Sequence, residues 1–200
     1  MFMRIQFILI LAFGAYLCAS CQQISTSPTV TPQLDPDIEE YVVYTALLES
    51  RFAGDDIGQI LFIDQTDVSS ESLLERDLAA FQESTPLEGK LINSFIELSK
   101  QPYPLEPDLD FGLEYLLFTQ EEVVELRSQD EASGWTLLYD KYPNAYGFVY
   151  LSRVGFNADF SQALVFMSTF HYERLMEGEY YLMIKQDGRW VIEASYGFQS

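Results

Sequence analysis

Phe148-Val149-Tyr150-Leu151-Ser152-Arg153-Val154-Gly155-Phe156, followed beyond the turn Asn157-Ala158-Asp159 by Gln162-Ala163-Leu164-Val165-Phe166-Met167-Ser168-Thr169-Phe170, decides the fold. Phe148, Tyr150, Ser152, Val154 and Phe156 alternate with Val149, Leu151 and Arg153, so both sides of this strand carry apolar groups, as in a central strand covered on two faces. Glu179 to Lys185 reads as a third strand, Asp187-Gly188 as a hairpin turn, and Trp190, Ile192 and Ala194 alternate along a last strand. The C-terminal part is therefore expected to be an antiparallel β-meander of about four to five strands.

Upstream, the apolar period changes from two to nearly four. Asp35 is a plausible N-cap with Pro36 at the first helical position, and Asp37, Glu39 and Glu40 load the positive end of the helix dipole. Ile38, Tyr41, Val42, Thr45 and Leu48 are expected to form its inward face, with Gly54 as the stop. Ile60-Leu61-Phe62-Ile63 predicts a short buried strand, and Ser70 caps a helix carrying Leu74, Leu78 and Phe81. Thr85-Pro86-Leu87-Glu88 reads as a capping box ahead of Leu91, Phe95 and Leu98. Glu114 to Phe118 predicts a strand, Thr119-Gln120-Glu121-Glu122 a second capping box, and Trp135, Leu138 and Tyr139 a further short helix before Tyr142-Pro143. The expected class is α+β, with N-terminal helices packed on the C-terminal meander.

The first residues carry one charge, Arg4, and then the apolar run from Ile5 to Leu17. That run is shorter than the roughly 20 residues a bilayer span needs and suits the apolar region of a signal peptide. Leu17-Cys18-Ala19-Ser20-Cys21 resembles the bacterial lipobox, in which small residues precede a cysteine whose thiol takes a diacylglycerol before cleavage. The resemblance implies lipidation at Cys21. Cys18 stands where that motif prefers leucine. Ordinary secretion after cleavage near Ala19 and an uncleaved signal anchor are the alternatives. The expected organisation is a signal peptide at 1–20, a Ser/Thr/Pro-rich tether at 21–34 and one domain at 35–200, exported and held by lipid at the cell membrane or outer membrane.

Cysteine arithmetic then bears on the domain. Of the two cysteines, cleavage would remove Cys18 and lipid would occupy Cys21, which leaves no thiol for a disulfide, a nucleophile or a thiolate metal site. Charge excludes another class: 31 acids against 11 bases give a net charge of -20, a field that repels phosphate backbones, so no nucleic-acid partner is expected.

Leu151-Ser152-Arg153-Val154-Gly155-Phe156-Asn157, with Gln162-Ala163-Leu164-Val165, Gly178-Glu179-Tyr180-Tyr181 and Gly188-Arg189-Trp190-Val191, resembles a group of uncharacterised exported bacterial proteins over roughly the last third of the chain. The turn before the third strand in such proteins often carries cysteines and glycines, whereas here it reads His171-Tyr172-Glu173-Arg174-Leu175-Met176-Glu177. Helices followed by a hairpin and a terminal G-x-W-V strand are also similar to NTF2-like or cystatin-like folds, which implies a curved sheet wrapping a helix and, at times, a cone-shaped pocket. Such folds host enzymes, binding modules and scaffolds alike.

Few residues carry a chemical signal. His171 is the only histidine and lies in a charged turn, and no G-x-S-x-G elbow accompanies it. Asp108-Leu109-Asp110-Phe111-Gly112 departs from a calcium loop in the place of its glycine, with Thr119 where a bidentate Glu belongs. Asp55-Asp56 and Asp64 with Asp67 read as turn residues. No metal, no cofactor and no dinucleotide fingerprint is expected. Arg153 is the informative side chain: a guanidinium in an apolar strand needs a carboxylate or carbonyl partner, so it is either an anion-binding residue or half of a buried ion pair with a helix acid or Asp64. The aromatic set Tyr180, Tyr181, Trp190, Tyr196 and Phe198 reads as core packing or as a stacking surface for a ligand. The expected function is a non-enzymatic binding or protein-interaction module of the cell envelope, taking an envelope protein or a small molecule. The alternatives are an extracytoplasmic hydrolase using acids such as Asp64 or Asp67, and an assembly partner in an envelope complex.

Overall fold

The computed structural model describes residues 35–199 except 55–56, 69–70, 108, 129–130 and 172–173. The signal segment, Cys21, the tether, Asp55-Asp56, Ser70 and Asp108 lie outside the described residues. The elements are α1 (Pro36–Phe52), β1 (Gln59–Ile63), α2 (Glu71–Gln82), α3 (Gly89–Leu98), β2 (Glu114–Phe118), α4 (Gln120–Ser128), α5 (Glu131–Lys141), β3 (Ala145–Leu151), β4 (Gly155–Phe156), β5 (Gln162–His171), β6 (Arg174–Gln186) and β7 (Arg189–Gln199).

The class is α+β, with helices first and a C-terminal meander, and the sheet is wider than the meander alone. Its order is β2-β1-β3-β5-β6-β7, with β4 also paired to β5. β1 runs parallel to both β2 and β3, because two-helix crossovers separate these strands, while β5, β6 and β7 follow by antiparallel hairpins. Asp187 and Gly188 both take positive φ, 50° and 80°, as the tight β6–β7 turn requires.

Alternation along the strands sorts side chains into two faces, and helices cover both. On one face, Phe62, Val149, Val165, Met167, Tyr181 and Met183 bury against Val43, Tyr44, Leu47 and Leu48 of α1. On the other, Leu164, Phe166, Tyr180 and Leu182 meet α2 and α3, while Leu61, Ile63 and Phe148 meet Val123, Trp135 and Leu138 of α4 and α5. At roughly 1.5–3 kcal/mol for each large apolar side chain removed from water, these layers supply the main driving force for folding.

Three details differ from the sequence reading, and the second capping box agrees with it. The strand expected from Phe148 to Phe156 is broken: β3 ends at Leu151, residues 152–154 are not strand, and β4 resumes at Gly155. The Thr85 capping box is not formed; α3 starts at Gly89 behind Glu88, whose side chain makes no cap bond. The Thr119 box is formed reciprocally, with Thr119 N–H donating to Glu122 Oε2 at 2.8 Å and Glu122 N–H to Thr119 Oγ1 at 3.2 Å. In β7 the register slips where Leu182 faces Ala194 and Met183 faces Ile192, which leaves Glu193 as an extra residue. Trp190 and Ile192 therefore face α1, whereas Ala194 and Tyr196 turn to α2 and α3.

The largest correction concerns α1. Ile38 and Val42, expected inside, are 67% and 47% exposed, and the buried stripe is Glu39, Glu40, Val43, Tyr44, Leu47 and Leu48. The helix is rotated so that two acids enter the protein, for a reason that lies in their partners.

Gly155 is where α3 approaches the sheet most closely: a Cβ there would lie 2.5 Å from Phe95 N and 2.6 Å from Phe95 Cα. Backbone cannot yield as a side-chain tip can, so Gly155→Ala is expected to lower stability by about 1–3 kcal/mol, read from the urea unfolding midpoint.

Candidate binding shelf and the buried ion pairs

The N-terminal turn of α1 places Glu39 and Glu40 side by side, and each meets a different part of the sheet. Glu39 Oε1 accepts from Lys185 Nζ at 2.5 Å and from the indole N–H of Trp190 at 2.6 Å, joining the helix to the β6–β7 hairpin. Glu40 receives the Nε–H of Arg153 at 2.9 Å and the backbone N–H of Val154 at 2.8 Å. The Tyr44 hydroxyl lies 2.7 Å from both Glu40 Oε1 and the carbonyl of Ser152, so one proton serves two acceptors. These bonds explain the break between β3 and β4: Val154 N–H leaves the ladder to meet a carboxylate, while Ser152 keeps its pairing to Phe166 through both backbone and Oγ.

Arg153 reaches Asp37 at 3.1 Å as well, and its guanidinium carbon lies 3.9 Å from the centre of the Tyr103 ring. Its side chain is 12% exposed and that of Glu40 is 3% exposed. Burial alone would pull the guanidinium down, but the hydrogen bond and charge of Glu40, with Tyr44 and Asp37 behind it, outweigh burial and hold it above its ordinary value. Burial first, then the neighbouring Glu40 charge, push the Tyr44 hydroxyl well above the usual tyrosine range, so it remains a donor.

Asp64, the other residue singled out beside Arg153, does not join this cluster. Its backbone N–H donates to Phe118 and its carbonyl accepts from Leu105, closing the ends of β1 and β2. Asp67 stands apart: it is half-buried, its Oδ1 accepts from Val68 N–H, and burial pushes its carboxyl above the ordinary carboxylate value. Tyr180 is raised too, by burial first and then by the charge and hydrogen bond of Asp77, with a smaller contribution from Asp67. Among the described residues no three His, Cys, Asp or Glu side chains gather so as to hold a metal ion, and no helix is long and apolar enough to cross a membrane.

Two accessible hollows lie elsewhere, near the end of α1, and are taken together as a shelf. Phe52 ends α1 beside them. The first, about 330 Å³, is lined by Arg51, Thr169, Glu177, Glu179 and Tyr181, with Gly178 and Gly197 on neighbouring strands. Glu179 lies 3.9 Å from Arg51 and accepts a short hydrogen bond from the Tyr181 hydroxyl. Burial, then that bond and the charge of Glu179, raise Tyr181 far above its usual range. The second hollow, about 510 Å³, is lined by Ile57, Pro143, Asn144, Tyr146 and His171 among others. Thr169 of the first hollow and His171 of the second are consecutive same-face positions on β5, and Phe52 packs edge-on against Tyr146, so one shelf carries both.

Of these shelf residues, the sequence reading had singled out Tyr181 as one of several aromatics and His171 as the lone histidine. It had missed Arg51, Asn144 and the glycine pair, and only the end of α1 relative to the strands gives them meaning.

Arg153→Ala strands the Glu40 carboxylate in the interior and is expected to cost about 3–5 kcal/mol, whereas Asp37→Asn, at an exposed partner, should cost under about 1 kcal/mol. Urea unfolding of both variants checks the pair. Asp67 has a raised folded-state carboxyl, so the native form holds its proton longer than the unfolded chain does, and stability drops as pH climbs from the ordinary carboxylate value, 3.8, through the raised one. Asp67→Asn should abolish that drop, giving a gain at pH 7 that is absent at pH 3.

Comparison of the chain with protein-family models, with curated proteins and with solved structures finds no match.

Proposed function

We propose that this chain is an exported lipoprotein of the bacterial cell envelope, attached to its membrane through lipid on Cys21, and that its α+β domain is a non-catalytic binding module whose ligand sits on the shelf beyond α1. The observation that carries this reading is the division of labour between two arginines. Arg153 is enclosed by Glu40, Asp37 and Tyr103 and serves the fold, while Arg51 is 45% exposed and lines a hollow. A cation, two carboxylates and a phenol that line one hollow are the few placed polar groups by which a binding site orients a ligand. The lipobox resemblance at Ala19-Ser20-Cys21 and the Ser/Thr/Pro-rich segment after it support the tether, and the net charge of -20 suits a domain repelled by anionic headgroups and held near them by lipid.

A hydrolase is the second reading, and Asp67 is what favours it: a carboxyl raised by burial, close to the Asp77–Tyr180 pair, has the character of a general acid. Activity on an envelope polymer that vanishes in Asp67→Asn, with the fold retained, would select this reading over the first.

For the anchor, radiolabelled palmitate fed to cells expressing the chain should label the wild type and not Cys21→Ala. A mature N-terminus at any other residue would overturn the lipoprotein reading.

A further inference from the structure

The two hollows of the shelf differ in charge. Arg51, Glu177 and Glu179 stand at the first. Among the described residues, no Asp, Glu, Lys or Arg lines the second. Its groups are a phenol ring, an imidazole, a primary amide, a proline and aliphatic surface. A charged ligand part would find no counter-charge among the described residues that line this hollow, and an anionic one would meet the field of the whole domain.

The rings narrow the class further. Tyr146 and His171 have centroids 5.3 Å apart and planes inclined at 47°. Two rings at that tilt do not form the parallel slot that grips a flat aromatic ligand. They suit a puckered ring with C–H bonds on its faces and hydroxyls at its edge. Both are held in place: Phe52 packs against Tyr146 at 5.1 Å and 71°, and Gly147, lacking a Cβ, lets β3 approach His171, whose Cβ would lie 2.8 Å from one. Asn144 fixes the third side. Its carbonyl accepts from Gly58 and Gln59 N–H, both at 3.2 Å, so its exposed amide projects from a pinned backbone with both a donor and an acceptor.

We propose that the Tyr146–His171–Asn144 hollow is a subsite for an uncharged sugar ring, with the rings under its C–H face and the amide on a pair of its hydroxyls. This rests on the reading of the shelf as a ligand site and names the ligand class of one half of it.

The test uses the full chain in detergent micelles and tri-N-acetylchitotriose as probe. His171 is the only histidine, so histidine-selective labelling places a single imidazole signal inside the subsite. A saturable shift of that signal is expected, with affinity weakened about fivefold or more in Asn144→Ala, the loss of roughly one hydrogen bond. An unmoved imidazole in the folded chain overturns the sugar assignment, and so does equal affinity in Asn144→Ala. Alanyl-alanine, which carries both charges, is titrated in parallel with the Met167 methyl as reporter for the Arg51 hollow. If the dipeptide binds and the trisaccharide does not, the shelf stands and the sugar subsite falls; if neither binds, both fall.

Discussion

Two adjacent carboxylates at the start of α1 cannot be taken out of water unless each finds a partner, and the arrangement of this domain follows from where those partners are. Glu39 needs Lys185 and Trp190 from the β6–β7 hairpin, and Glu40 needs Arg153 and Val154 from the break between β3 and β4. Satisfying both fixes the rotation of α1 about its axis and its direction across the sheet. A pairing of this kind is weak evidence for stability, since well-packed apolar groups could do as much; its contribution is to make one orientation far better than its neighbours. With α1 so placed, the helix ends at Phe52, and Arg51 and Tyr146 beside it line the two hollows of the shelf.

The class of the fold and most of its elements were legible because they rest on local signals. The Asp187-Gly188 turn, the Thr119 capping box and the Asp35-Pro36 helix start each declare themselves within four residues. What escaped was decided at long range. Hydropathy assigned Ile38 and Val42 to the interior of α1 in place of Glu39 and Glu40, because the cations that neutralise these carboxylates lie more than a hundred residues away. Ala194 reads as sharing a face with Trp190 until the extra residue at Glu193 is seen against β6. The parallel pairing of β1 with β2 and β3 is likewise invisible to a pattern that only reports strand or helix.

The same contrast governs the site. Arg153 was conspicuous because a cation in an apolar strand is an anomaly, and the structure ties it to Glu40 and Asp37 of the helix with Asp64 elsewhere. Arg51, at the end of an ordinary helix, was inconspicuous, yet it lines a hollow together with Glu179 and Tyr181. Conspicuous charges in a sequence are often those the fold must neutralise, while charges available to a ligand look like any other surface residue.

The bonds from Glu39 to Lys185 and Trp190 span 146 and 151 positions, almost the full described chain. In time, this means that the first described helix is the last that can be secured: Glu40 waits, solvated, for Arg153, and Glu39 until the final hairpin has closed. Contacts of such separation are slow to form, because the entropy of closing so long a loop must be met before they return anything. A chain emerging N-terminus first through a narrow passage would thus stay open until nearly its last residues had cleared it, and any truncation ahead of Trp190 would leave α1 with a charge it cannot bring inside.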